Sequence, residues 1–276
     1  MVDLLDTTPG VFGLLFLVAL LISTSGFVRV VYFVSVGYAF SIAAMVPISL
    51  WLYRSSLDLA GLVQAAAVLF YGLRLGLFLL VRERSPAYKR ELVDIQQRGQ
   101  HVRGLLRLVV WVGVALLYPL MFTPTLFVLA ATRDNPGTTT SAWQWSGIAI
   151  LVAGLALESL SDRQKSRFKQ QHPDRFCDVG LFRLVRCPNY LGEIVFWIGH
   201  WIAGIAVYVL WLHWLASLAG LVCIVLVMLG STRRLELKQD ERYGDDESYR
   251  AYTKTVPVLL PLVPVYSLRN WKIYLG

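Results

Sequence analysis

Residues 105–131, LLRLVVWVGVALLYPLMFTPTLFVLAA, run for 27 positions with one charged side chain, Arg107. A helix rises about 1.5 Å per residue and the hydrocarbon core of a bilayer is about 30 Å thick, so about 20 such residues suffice to cross it. Further spans read near Val11–Ser23, Phe27–Tyr53, Ala60–Val81, Trp143–Leu160, Tyr190–Leu210 and Leu212–Gly230. The first is short and nearly fused with the second, so the count is about seven, with six as the alternative. The composition agrees. The chain has 276 residues, of which 56% are hydrophobic and 16% charged, with a mean hydropathy of +0.56. That is too apolar and too poor in charge for a soluble domain of this length. The fold class is therefore all-α, a polytopic membrane helix bundle in one membrane domain, 1–276.

The net charge of +8 and the pI near 9.5 describe topology. Arg82, Arg84, Lys89, Arg90, Arg98 and Arg103 lie between the third and fourth spans, and Arg163, Lys165, Arg167, Lys169, Arg175, Arg183 and Arg186 follow the fifth. The tail adds Arg233, Arg234, Lys238, Arg242, Arg250, Lys254, Arg269 and Lys272. Cytoplasmic loops collect Lys and Arg, so seven spans put every strongly basic connection inside. The N-terminus, acidic at Asp3 and Asp6, is then outside and the C-terminus cytoplasmic. No basic run is interleaved with stacking aromatics, which argues against a nucleic-acid partner. Three cysteines, one of them inside an apolar run, do not make a disulfide framework. Asn135-Pro136-Gly137 reads as an outside turn, and Val256–Val265, broken by three prolines, cannot span and lies at the interface or packs back on the bundle.

Polar residues gather at the inner ends of the later spans. Glu158, Asp162 and Lys165 stand at i, i+4 and i+7 on one helical face, with Lys169 a turn further on. Asn189 and Glu193 are i, i+4 at a helix start opened by Pro188, where unpaired backbone N–H groups favour anions. Ionisable groups at membrane depth are costly and face a cavity or a partner. A helix-end charge network at headgroup level is the competing reading of Glu158 and Lys165, and a favourable first-turn carboxylate that of Glu193. The four histidines are scattered without ligand spacing, so no metal site is expected, and neither a P-loop nor a GxGxxG is present.

Residues 147–264 resemble the steroid 5-alpha-reductase family, in particular its bacterial branch of membrane reductases. The resemblance runs through Ser161-Asp162-x-Gln164 with Phe168, Gly180-Leu181-Phe182, Arg186-x-Pro188-Asn189-Tyr190-Leu191-Gly192-Glu193, and Glu241-Arg242-Tyr243-Gly244 with Tyr249 and Tyr252. It implies an NADPH-dependent oxidoreductase, like a 3-oxo-steroid 4-dehydrogenase, acting on a conjugated C=C in a lipophilic substrate, in lipid metabolism at the bacterial inner membrane. The cofactor would lie in a cytosol-facing cavity. By position, Asp162, Arg175, Asn189 and Glu193 match family cofactor ligands. Glu158 stands where relatives can have asparagine, and Lys169 where they can have arginine. Lys165, on the same helical face, and Tyr190, inside the motif, join that set. Arg233, Arg234 and Glu236 are expected to help close the cavity, with Tyr243 a further contact.

The first 104 residues, read as substrate-side helices against a cofactor-binding half at 105–276, match less closely. Tyr71-Gly-Leu-Arg74 has the spacing at which the family places a tyrosine that hydrogen-bonds the substrate carbonyl, although a core tyrosine is the equal alternative. The steroid reductases pair that tyrosine with a Gln-Glu dipeptide. Here the second span has no acid, only the hydroxyls of Tyr32, Ser35, Tyr38, Ser41 and Ser49, so Tyr38 is the candidate partner of Tyr71 and the substrate need not be a steroid. The Arg186-x-Pro188-x-Tyr190 fragment is shared with isoprenylcysteine carboxyl methyltransferases, which makes an S-adenosylmethionine-dependent membrane methyltransferase the alternative. A lipid-binding or transport bundle is disfavoured by the lack of an internal repeat.

Overall fold

Long apolar runs lack any partner for their backbone other than themselves once water is excluded, and a helix satisfies every interior N–H and C=O. The computed structural model describes residues 7–83, 104–134 and 141–272. It holds α1 (Thr8–Ser23), α2 (Val36–Leu52), α3 (Leu59–Glu83), α4 (Leu105–Asp134), α5 (Ala142–Gln171), α6 (Pro188–Ala203), α7 (Trp211–Tyr243) and α8 (Glu247–Thr255), and no strand among those residues. Seven helical stretches are long and apolar enough to cross a membrane, the first running Thr8–Phe27 and the second Val30–Leu52. The basic residues Arg84, Lys89, Arg90, Arg98 and Arg103, the Asn135-Pro136-Gly137 turn and the acidic Asp3 and Asp6 lie outside the described residues.

The first two spans are separate. Two short 3-10 turns, Thr24–Phe27 and Val30–Phe33, reverse the chain between them, and the Phe33 ring packs so closely on Gly26 that no side chain fits there. Helices α5 and α7 also outrun their apolar sequence, reaching Gln171 and Tyr243 in place of the expected ends at Leu160 and Gly230. Charged residues do not stop a helix that has left the bilayer, because long polar side chains keep good helix propensity in water.

Contacts divide the chain into two units, Met1–Ile148 with His200–Leu221, and Ala149–Gly199 with Val222–Gly276. In the first, α2 and α3 meet at a glycine seam: a Cβ on Gly72 would stand 2.7 Å from the Ala39 carbonyl oxygen and 2.9 Å from the Ala43 nitrogen. Near the start of α4, Arg107 donates to the Gly26 and Phe27 carbonyls and Trp111 to that of Leu20 (3.0 Å), joining α4 to the end of the first span. Pro47 inside α2, and Pro119 and Pro124 inside α4, each remove a backbone donor, and the Leu120 carbonyl that Pro124 leaves free accepts from the Thr123 hydroxyl at 2.7 Å.

In the second unit the chain after α8 folds back on the loop before α6. The Arg186 N–H donates to the Pro257 carbonyl (2.9 Å) and the Cys187 N–H to that of Val258 (3.0 Å), while the Val258 N–H reaches Val265 (2.9 Å). This closes a short irregular loop with Leu262 at φ +66°, a left-handed conformation that costs a leucine about 1–2 kcal/mol. Val256–Val265, expected at the interface or packed back on the bundle, is tied at Pro257 and Val258 to the loop before α6, while Leu260, Leu262 and Val263 stay exposed.

Candidate functional site

The second unit gathers most of the polar residues singled out by the sequence. Helices α5 and α6 approach to backbone contact through two glycines. A Cβ on Gly192 would lie 2.5 Å from the Glu158 nitrogen, and one on Gly154 would lie 2.3 Å from the Phe196 nitrogen. Small residues are what allow helices in a membrane to pack this closely. The crossing places Glu158 beside the first turns of α6, with Glu193 next to Gly192 in the chain and Asn189 one turn before it. Asp162 follows Glu158 by one turn of α5.

All three carboxylates are buried: Glu158 is 3% exposed, Glu193 6% and Asp162 8%. The Asn189 Oδ1 is also buried, with no hydrogen-bond partner among the described residues. Tyr190 is half-buried beside it, and so is Lys165 on α5. Acids in apolar helices favour neighbours that bring N–H or O–H donors, since removing a carboxylate from water is otherwise expensive. An unsatisfied buried amide oxygen is the same kind of demand on a smaller scale.

A second group surrounds the loop after α5. Gly180 takes φ +59° with the Gln164 side chain against it, and the Leu181 N–H donates to Gln164 Oε1 at 2.9 Å. Lys169 donates to the Tyr243 hydroxyl (2.7 Å), to the Pro173 carbonyl (3.3 Å) and to the Arg175 carbonyl. Its ammonium therefore ties the loop to the end of α7. Arg175 is exposed and 3.6 Å from Asp178. Two thiols belong to this region. Burial raises the pKa of Cys177, and it pushes that of Cys187 up to about 11, so both are poor nucleophiles at neutral pH.

A third group joins α7 to the C-terminal segment. Glu236 accepts from the Arg186 guanidinium (2.9 Å) and from the Leu268 N–H (2.8 Å), and Arg186 also donates to the Tyr266 carbonyl. The pair is almost wholly removed from solvent, its side chains 2% and 1% exposed. Arg233 donates to the Arg269 carbonyl at 3.1 Å, whereas Arg234 is exposed.

The tyrosines form a site of their own in the first unit. The Tyr38 and Tyr71 hydroxyls are 2.8 Å apart and buried, with the Tyr118 ring 5.6 Å from that of Tyr38 and the Tyr118 hydroxyl donating to the Phe33 carbonyl. Two residues picked from different spans are thus directly bonded. Sequence reasoning did not single out Tyr118, nor Arg186 as the buried partner of Glu236. The proline-broken run after α8 was the available sign that something returns to the loop preceding α6. Among the described residues, no group of three or more His, Cys, Asp or Glu is arranged to hold a metal ion.

A family model described as a protein of unknown function (DUF1295) matches residues 15–256. Steroid 5-alpha-reductase DET2 of Arabidopsis thaliana is 33% identical over 63 residues, which is 21% of this chain and 24% of that protein. The match thus spans about a quarter of that relative's length. No solved structure is a significant match.

Proposed function

We propose that this chain, which belongs to the DUF1295 family, is a membrane-embedded reductase that uses NADPH to saturate a conjugated C=C of an enone in a lipophilic, steroid-like substrate. The observation that carries the reading is the α5–α6 crossing, where Glu158, Asp162 and Glu193 are buried around an unsatisfied Asn189 oxygen. Such a set of acceptors suits ribose hydroxyls and the N–H of a carboxamide. The exposed Arg163, Arg167 and Arg175 nearby in the chain suit phosphates. The short stretch of identity with a steroid 5-alpha-reductase supports the same reaction class.

When bound, NADPH supplies hydride. The chain's own part is to receive and orient the dinucleotide through Asp162, Asn189 and Glu193, and to polarise the substrate carbonyl. Tyr71 is the donor to that carbonyl oxygen, where negative charge develops as hydride reaches the β-carbon. Tyr38, whose hydroxyl lies 2.8 Å from that of Tyr71, then donates its own O–H to the Tyr71 oxygen and strengthens Tyr71 as a donor, because linked hydrogen bonds polarise one another. In this reading Lys169, Arg233 and Glu236 hold the loop and tail in place. The basic connections face the cytoplasm of a bacterial cell, with the N-terminus outside, and the cofactor arrives from that side.

Thermal protection of the detergent-purified protein tests this. NADPH is expected to raise the melting temperature, and Glu193→Lys to abolish the rise. Protection by S-adenosylmethionine in place of NADPH would overturn the reductase reading in favour of a methyltransferase.

A further inference from the structure

A groove of about 370 Å³ lies between α8 and the C-terminal segment, lined by Arg250, Thr253, Lys254, Tyr266, Ser267 and Arg269. Its lining side chains are three cations and three hydroxyls, with no carboxylate among them, although the Thr253 hydroxyl already donates to the Arg250 carbonyl (3.1 Å) and Arg269 Nε to the Ser267 hydroxyl (3.3 Å). Two of the cations already have partners. Arg250 stands 3.5 Å from the fully exposed Asp245 and donates to the Gly244 carbonyl, and Arg269 meets Asp240 at 3.1 Å and Glu236 at 3.9 Å. Lys254 is exposed and forms no ion pair among the described residues. The groove therefore keeps a positive charge around a wall of hydroxyls, which is the chemistry that receives phosphate oxygens.

Its place in the unit says where the phosphate comes from. The backbone of Arg186 and Cys187 bonds to Pro257 and Val258, and the next residue, Pro188, opens a membrane-spanning helix. The C-terminal segment is thus pinned at the boundary of the bilayer. A few residues on, its loop turns outward with Leu260 46%, Leu262 101% and Val263 40% exposed. Leu262 is held in the strained left-handed conformation with its whole side chain pointing away from the protein. Tyr266 and Trp271, the aromatic types that gather at membrane interfaces, are 41% and 47% exposed beyond it. A leucine at the tip of a proline-rich loop, beside a cationic groove at the end of a spanning helix, matches a lipid surface on both counts.

We infer that this groove is a headgroup site: it binds the phosphate of an anionic lipid, while the Leu260–Val263 tip inserts into the same leaflet. The groove touches the residues expected around the cofactor through Arg269, which meets Glu236 and Arg233; its test, read on Lys254 and Leu262, does not depend on them.

The full chain, stripped of lipid in detergent, is titrated with phosphatidylglycerol, phosphatidylcholine and inorganic phosphate, and its melting temperature is followed. Phosphatidylglycerol is expected to raise it by several degrees, phosphatidylcholine by much less, and inorganic phosphate not at all. Lys254→Glu, or the milder Lys254→Gln with Arg250→Gln should the first fold poorly, is expected to remove most of the phosphatidylglycerol shift. An equal shift with inorganic phosphate marks a site for free phosphate and overturns the lipid assignment; so does an equal response to both lipids, or a shift that survives both variants. The tip is read separately. Leu262→Cys in a Cys223→Ser background, labelled with a polarity-sensitive fluorophore and reconstituted, is expected to be quenched by brominated lipid, and an unquenched probe overturns insertion. Cys177 and Cys187 are buried and stay silent.

Discussion

Two polar groups sit inside apolar helices of this protein, each at a glycine seam, and they are built differently. At the α2–α3 seam, Gly72 allows Tyr38 and Tyr71 to meet hydroxyl to hydroxyl. At the α5–α6 seam, Gly192 brings buried carboxylates alongside the start of a helix. Phenols are neutral and can serve as donor or acceptor to one another, so the two members of the first group can bond directly. Carboxylates accept only and repel one another, so the second draws its donors from other groups. In the proposed reading the first group is a donor to substrate and the second a receptor for cofactor, a division that matches the hydrogen-bonding chemistry of phenols and carboxylates.

The largest effect tests whether buried charge governs the second unit. Glu236→Ala leaves Arg186 charged and buried, and is expected to destabilise by about 3–5 kcal/mol. The double variant Arg186→Met/Glu236→Leu should recover much of that, as read by denaturation in mild detergent; no recovery would mean that the pair is not the source of the loss. The seams come next. Gly192→Ala and Gly72→Ala each drive a Cβ into backbone and should each cost about 1–3 kcal/mol. Only Gly192→Ala is expected to lose protection by NADPH. If Gly72→Ala loses it equally, the division of labour between the seams is wrong.

Tyr38→Phe removes one hydroxyl of the tyrosine pair, with an expected cost of about 1 kcal/mol and a fall in turnover, but no change in protection by NADPH. The smallest effect lies outside both seams. Asp246 caps α8 by accepting from the Ser248 N–H (2.8 Å) and hydroxyl (2.7 Å), and these bonds hold its pKa below the ordinary value. A depressed carboxylate contributes stability above its unfolded pKa and loses it as pH falls through the folded value. Asp246→Asn should therefore differ from the parent near neutrality and converge with it in acid, as a melting series across pH would reveal.

The spans were legible because length and apolarity alone decide what crosses a bilayer. The pairing of Asn189 with Glu193, and of Glu158 with Asp162, was legible as helical spacing. What brings the two pairs together was not, because Gly192 announces nothing about the helix opposite; its role depends on the Glu158 backbone, 34 positions earlier in the chain. The helix ends at Gln171 and Tyr243 were hidden for a related reason: hydropathy marks where a chain leaves lipid, while a helix stops only when its hydrogen bonds are met otherwise. Arg186 looked like one more basic residue of an inner loop until its partner, 50 positions on, was placed beside it.

The length of α7 reaches beyond chemistry. At 33 residues it measures about 50 Å, against about 30 Å of hydrocarbon, and α5, at 30 residues, is nearly as long. Lys169, near the end of one, is bonded to Tyr243, at the end of the other. Two masts lashed together at their tops lean as one, so a thinner or thicker membrane, which single helices answer by tilting, tips this pair and the loop tied to it as a single rigging.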